Sequence, residues 1–178
     1  MVRLTLTASA VALIAACASS PTMTAFSQAS LPDAVKVPAG HKVALETVGV
    51  GQITYECRAK KDAAGFEWVF VGPEAKLLAR DGKQLGKYYG PPATWESADG
   101  SKITGAQVAI APAAVGNIPL QLVKTNPAMG NGAMTGVSYV QRVDTRGGVA
   151  PSKSCDTAML NKQEIVKYQS DYIFWKSV

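Results

Sequence analysis

From residue 42 onward, apolar and polar side chains alternate along the chain, and Gly, Pro and Asp-Gly steps punctuate the alternation. A two-residue period puts one set of side chains on one face of a strand, whereas a helix needs apolar positions three and four apart. Val43, Leu45 and Thr47 oppose Lys42, Ala44 and Glu46, while Ile53, Tyr55 and Cys57 oppose Thr54, Glu56 and Arg58. Phe66, Trp68 and Phe70 make another apolar face, and the pattern predicts further strands at 77–80, 84–89, 94–97, 102–104, 107–110, 119–124, 136–144, 164–168 and 172–176. Asp81-Gly82 reads as a type I′ hairpin turn and Asp99-Gly100 as a second hairpin turn. Gly90-Pro91-Pro92 interrupts pairing, because proline has no N–H to give a ladder. Residues 111–115 and 157–160 offer at most a single helical turn each. The expectation is an all-β domain, an antiparallel β-sandwich or flattened barrel of about ten short strands.

The start of the chain has a different pattern. Arg3 precedes an apolar stretch from Ala8 to Ala16, the order of a secretory leader. It runs into Ile14-Ala15-Ala16-Cys17, which resembles the bacterial lipoprotein signal in which the cysteine is acylated. On that reading residues 1–17 are a signal peptide, 18–30 a flexible Ser/Thr/Ala tether and 31–178 one β-sandwich domain. Ala18, in place of Asp, resembles default sorting to the outer membrane in diderm bacteria. The alternative is cleavage after Ser27-Gln28-Ala29 and secretion of a soluble chain. Either way the protein is exported. With 17% charged residues and no run of 18 apolar ones, the remainder fits neither a disordered tail nor a helical membrane span.

Three cysteines is an odd count for an exported chain, and setting Cys17 aside leaves Cys57 and Cys155 as a pair. An oxidising periplasm permits a disulfide between them, and two unpaired buried thiols are the alternative. Basic residues are scattered, with Lys60-Lys61 the longest run, so no polybasic patch predicts a nucleic-acid partner. The expected partners are the membrane, through the lipid anchor, and an envelope glycan or protein.

Chemistry-bearing motifs are sparse. The lone histidine, His41, has no nucleophile elbow to serve, and one His with a Cys pair cannot furnish a metal site, so neither metal nor cofactor is expected. Gly100-Ser101-Lys102 lacks the order of a phosphate loop. Glu96 and Asp99, near Trp95, Tyr88 and Tyr89, have the carboxylate-plus-aromatic composition of carbohydrate hydrolysis, although Asp99 also suits its turn. Tyr88, Tyr89, Trp95, Glu96 and Arg142 are the candidate ligand-binding residues, provided they share an exposed patch beside the Gly130–Gly132 loop. Residues 126–135 form the one loop long and Gly-rich enough to be mobile. A binding or structural module is the leading functional expectation, with a cofactor-free hydrolase of an envelope glycan or polymer as the alternative.

Several islands occur in a fixed order: Gly51-Gln52-Ile53-Thr54-Tyr55-Glu56-Cys57, Trp68-Val69-Phe70, Pro73-Glu74-Ala75, Thr94-Trp95-Glu96, Asp99-Gly100-Ser101, Tyr139-Val140-Gln141-Arg142-Val143, Gly147-Gly148, Cys155-Asp156 and Asp171-Tyr172. In this order they resemble the family termed domain of unknown function 3455, over about residues 31–176. The resemblance implies an exported all-β domain with Cys57 and Cys155 at the family's cysteine pair, and it brings no activity. Family members often carry His before the Gly-Pro-x-Trp-Glu island, and Tyr88 occupies that place here.

Overall fold

The computed structural model describes residues 26–178, so the leader, Cys17 and the first part of the expected tether lie outside the described residues. Its strands are β1 (His41–Ala59), β2 (Phe66–Leu78), β3 (Gln84–Tyr89), β4 (Thr94–Ser97), β5 (Lys102–Ala111), β6 (Leu120–Thr125), β7 (Val137–Gly147) and β8 (Gln163–Ser177). They pair antiparallel in chain order, and β8 returns to β1 with a register running from His41↔Ser177 to Glu56↔Gln163. The single sheet therefore closes into a flattened barrel, which satisfies the edge groups that an open sheet leaves bare.

The all-β expectation holds, with eight strands in place of about ten. Residues 42–48 and 53–57 lie on one strand, as do 66–70 with 77–78, 102–104 with 107–110, and 164–168 with 172–176, while 79–80 fall in the turn after β2. Opposite Thr54/Tyr55 the register skips Val71 on β2, and between Gln107 and Ala109 it skips Val108 on β5; each bulge shifts the phase of alternation inside a continuous strand, so that β2 and β5 each read as two. Gly49 falls in the gap between the predicted segments 42–48 and 53–57, yet it is inside β1. It makes room: a Cβ there would sit 2.4 Å from a Tyr172 ring carbon. The turn at 79–83 is not type I′, since only Gly82 has a positive φ and that turn type needs one at Asp81 as well. Among the described residues, helical structure is limited to a 3₁₀ turn at Asp33–Val35.

Two apolar clusters hold the barrel. Inward-facing residues, including Ile53, Leu77, Tyr88, Trp95, Ile103, Val140, Tyr172 and Phe174, fill the interior. Tyr88 stacks on Trp95 at 4.8 Å between ring centroids, and Tyr172 packs against both. A second cluster lies outside the wall, where the segment before β1 straps Val35 and Val37 over Leu122, Val143, Ile173 and Trp175. Gln141, wholly buried, pins this strap: its amide donates to Val35 O and Gln28 Oε1 and accepts from Trp175 Nε1. Phe26 packs edge-on against Trp175, so the last residues of the expected tether lie against the barrel.

The two ends differ. At one, the loop 126–136 folds across the opening and inserts Met134, 1% exposed, into the interior cluster. At the other, Gly90–Ala93 and the end of the β5–β6 connection border a mouth, and the β7–β8 connection lies at the same end. The β7–β8 connection is anchored by the Cys57–Cys155 disulfide, by Trp68 Nε1 donating to Lys153 O at 2.9 Å, and by Tyr55 Oη donating to Gly148 O at 2.8 Å. Gly148 has a φ of +82° and a Cβ position about 3 Å from Tyr168 and Ile118, so any larger residue would meet both strain and collision.

Candidate functional site

The mouth encloses a cavity of about 350 Å³, within the size range of small-molecule sites. Ile53, Tyr55, Phe70, Ile118 and Val123 give it an apolar wall, and Tyr88 lies beneath. Among the described residues, its one charged lining residue is Arg142. The register explains why: Arg142 on β7 pairs with Gln121 on β6 and Tyr172 on β8, both of which face the interior. Arg142 Nε and Nη2 donate to Pro119 O at 3.2 and 2.9 Å, which fixes the guanidinium plane at the rim. Burial pushes the hydroxyls of Tyr88, Tyr168 and Tyr172 well above the ordinary tyrosine range, and the nearby Arg142 cation only partly offsets it. These tyrosines are therefore neutral at physiological pH, with Tyr168 and Tyr172 hydrogen-bonded hydroxyl to hydroxyl at 3.1 Å.

The candidate residues do not form one exposed patch. Tyr88 and Trp95, 6% and 1% exposed, point into the barrel, because alternation on β3 and β4 sends their neighbours Tyr89 and Glu96 to the outer wall. Arg142 reaches the mouth, which Tyr88 also lines, whereas Trp95 is packed deeper in the interior. On the outer wall Tyr89 Oη donates to Glu96 Oε2 at 2.7 Å, and Lys87 Nζ lies 3.3 Å from Glu96 Oε1. These contacts, the tyrosine first, lower the Glu96 pKa below the ordinary glutamate value. A wider trough of about 750 Å³ runs beside them, lined by Gln52, Glu74, Lys76, Lys87 and Tyr89. It is less enclosed than the mouth.

Asp99 sits in the β4–β5 turn. Its Oδ1 accepts from the Ser101 hydroxyl and amide, and its Oδ2 accepts from Ala133 N at 2.7 Å. Those donors, led by the Ser101 hydroxyl, hold its pKa down at about 2. The loop expected to be mobile is thus tied to this turn, again by Ser101 Oγ accepting from Met134 N and by the paired backbones of Lys102 and Met129. The Gly130–Gly132 segment lies there, at the opposite end from the mouth. His41 bonds Pro38 O through Nδ1 and packs edge-on against Tyr139. No group of three or more His, Cys, Asp or Glu side chains among the described residues is placed to hold a metal.

Sequence reasoning missed Tyr55, Phe70, Gln107 and Ile118 as mouth residues and Tyr168 and Tyr172 as the aromatic interior. The signal for the last two was present: Tyr168, Ser170, Tyr172 and Phe174 alternate along one strand, but the segment reads as two strands separated by a gap.

The architecture defines a class: a small closed antiparallel barrel, plugged at one end, with a single guanidinium at the mouth of the other. The chain belongs to the family described as "Protein of unknown function (DUF3455)", whose model matches residues 38–176. No curated protein and no solved structure matches it.

Proposed function

We propose that this is an exported envelope protein, anchored through acylated Cys17, that acts by binding, with the barrel mouth as its ligand site. The observation that carries the reading is the mouth itself: a partly enclosed apolar cavity with one fixed cation, opposite an end that is packed shut. Closed barrels of this size either fill with side chains or keep room for one small ligand. Here the filling stops at Tyr88 and the mouth stays open. The strap lies on the outer flank, against Trp175 and Leu122, so a tether leading to a membrane need not cross the mouth. Hydrolysis draws no support from the carboxylates, because Glu96 is bound to Tyr89 on the outer wall and Asp99 secures the plugging loop.

Native mass spectrometry of the protein extracted gently from its own membrane tests the binding reading. The wild type should carry a small non-covalent mass beyond chain and lipid, and Gln107→Trp, which fills the exposed rim of the mouth, should lose it. A bare wild-type chain, or a mass kept equally by Gln107→Trp, contradicts it. The anchor is tested separately, since Cys17→Ser should release the protein from the membrane fraction and its retention there would rule out acylation.

A further inference from the structure

We propose that the ligand of the mouth is a small organic carboxylate with an apolar body, and that Arg142 receives the carboxylate. The inference rests on the mouth being the binding site and adds the chemistry of what it binds.

Arg142 stands apart from its kind. Among the described arginines, Arg58, Arg80 and Arg146 each pair with a carboxylate, Glu56, Asp171 and Asp144 respectively. Among the described residues Arg142 pairs with none, and no described Asp or Glu lines the mouth. A partly buried cation among apolar and tyrosine side chains is costly without a counter-charge. Its position is nevertheless fixed, because one edge of the guanidinium, Nε with Nη2, is held by Pro119 O. Nη1 has no protein acceptor among the described residues, and it is not among the polar atoms sealed from solvent without a partner. The unused edge, Nη1 with the second N–H of Nη2, is a planar two-donor fork, the geometry that a carboxylate matches with two parallel hydrogen bonds.

The surroundings narrow the class further. Among the described residues no lysine and no second arginine lines the mouth, so a singly charged carboxylate is a better match than a phosphate, whose further oxygens and charge would find no cationic partner among them. The apolar walls, Ile53, Phe70, Pro91 and Ile118, call for an apolar body on the ligand. At about 350 Å³ the space suits a compact molecule.

Matched pairs of probes provide the test. The full mature protein, in a non-ionic detergent, is titrated with benzoate against benzamide and with cinnamate against cinnamamide, following side-chain NMR signals of Phe70, Tyr88 and Arg142. Each carboxylate should bind about tenfold or more tightly than its amide, as expected for hydrogen bonds to a charged group. Arg142→Gln should bring the members of each pair to parity, and Arg142→Lys, which keeps the charge and loses the fork, should leave a reduced preference. Parity in the wild type, with shifts confined to the mouth, overturns the assignment to Arg142 while leaving the mouth as a site. The absence of any mouth shift with all four probes overturns both. Because the wild-type comparison needs no variant, a misfolded Arg142 variant does not rescue the proposal.

Discussion

Trp95 and Asp99 do structural work that their residue types alone would not announce. Trp95 is sealed in the interior stack with an indole N–H that has no acceptor among the described residues. Trp95→Ala should therefore cost about 3–5 kcal/mol in chemical denaturation, through the cavity it leaves. Trp95→Phe should cost less, since it keeps an aromatic ring and removes an unpaired donor. Equal losses in the two variants would contradict this placement. Asp99 makes a pH prediction. Its folded pKa, about 2, lies below the ordinary aspartate value, so its stabilising contribution is fully present above that ordinary value. The contribution fades as pH falls from about 4 towards 2. Asp99→Asn should flatten the acid limb of the stability profile over that window and speed hydrogen exchange at the Ala133 and Met134 amides. An unchanged acid limb would show that the carboxylate does not hold the loop.

At the scale of elements, the β7–β8 connection is long and irregular, yet it is fastened to β1 and β2 by the disulfide and by Trp68. The 98-residue separation of the two cysteines makes the cross-link effective against the unfolded chain. Replacing both with Ser should lower stability by about 2–5 kcal/mol, measured by denaturation with and without reductant. No difference from the wild type would mean that the connection is held without it. The elements also show what the sequence could convey. Period-two alternation located the strands, because burial on one side of a sheet writes itself directly into side-chain polarity, but it did not assign every face: Val43 reads with Leu45, and the bulge between them puts Val43 in the outer cluster and Leu45 against the interior one. Strand continuity was not legible. Gly49 falls in a gap between two predicted segments, but it is set by the Tyr172 ring, which lies 123 positions away in the chain and leaves no space for a Cβ. The bulge at Gln107/Ala109 likewise shifts the alternation without ending the strand. The candidate site was half legible for the same reason. Tyr88, Trp95 and Arg142 stand out by type, but whether an aromatic faces inward or outward depends on which side of the sheet the closed barrel encloses. The outer strap, pinned by Gln141, had no local signal at all, because its partners are on β7 and β8.

The whole molecule is an asymmetric container, with Met134 and its loop at one end and an apolar mouth with one cation at the other. Interior aromatics make the floor rigid, and the tied connections around the rim hold Arg142 in a fixed plane. Binding at such a mouth calls for little rearrangement of the barrel. The most direct test is to add the small-molecule fraction of the protein's own envelope to isotope-labelled protein and map which NMR signals move. Shifts should cluster on Phe70, Tyr88, Gln107, Ile118 and Arg142 and be absent in Gln107→Trp. Shifts centred instead on Tyr89, Lys87 and Glu96, or a spectrum that does not change, would contradict a binding role for the mouth.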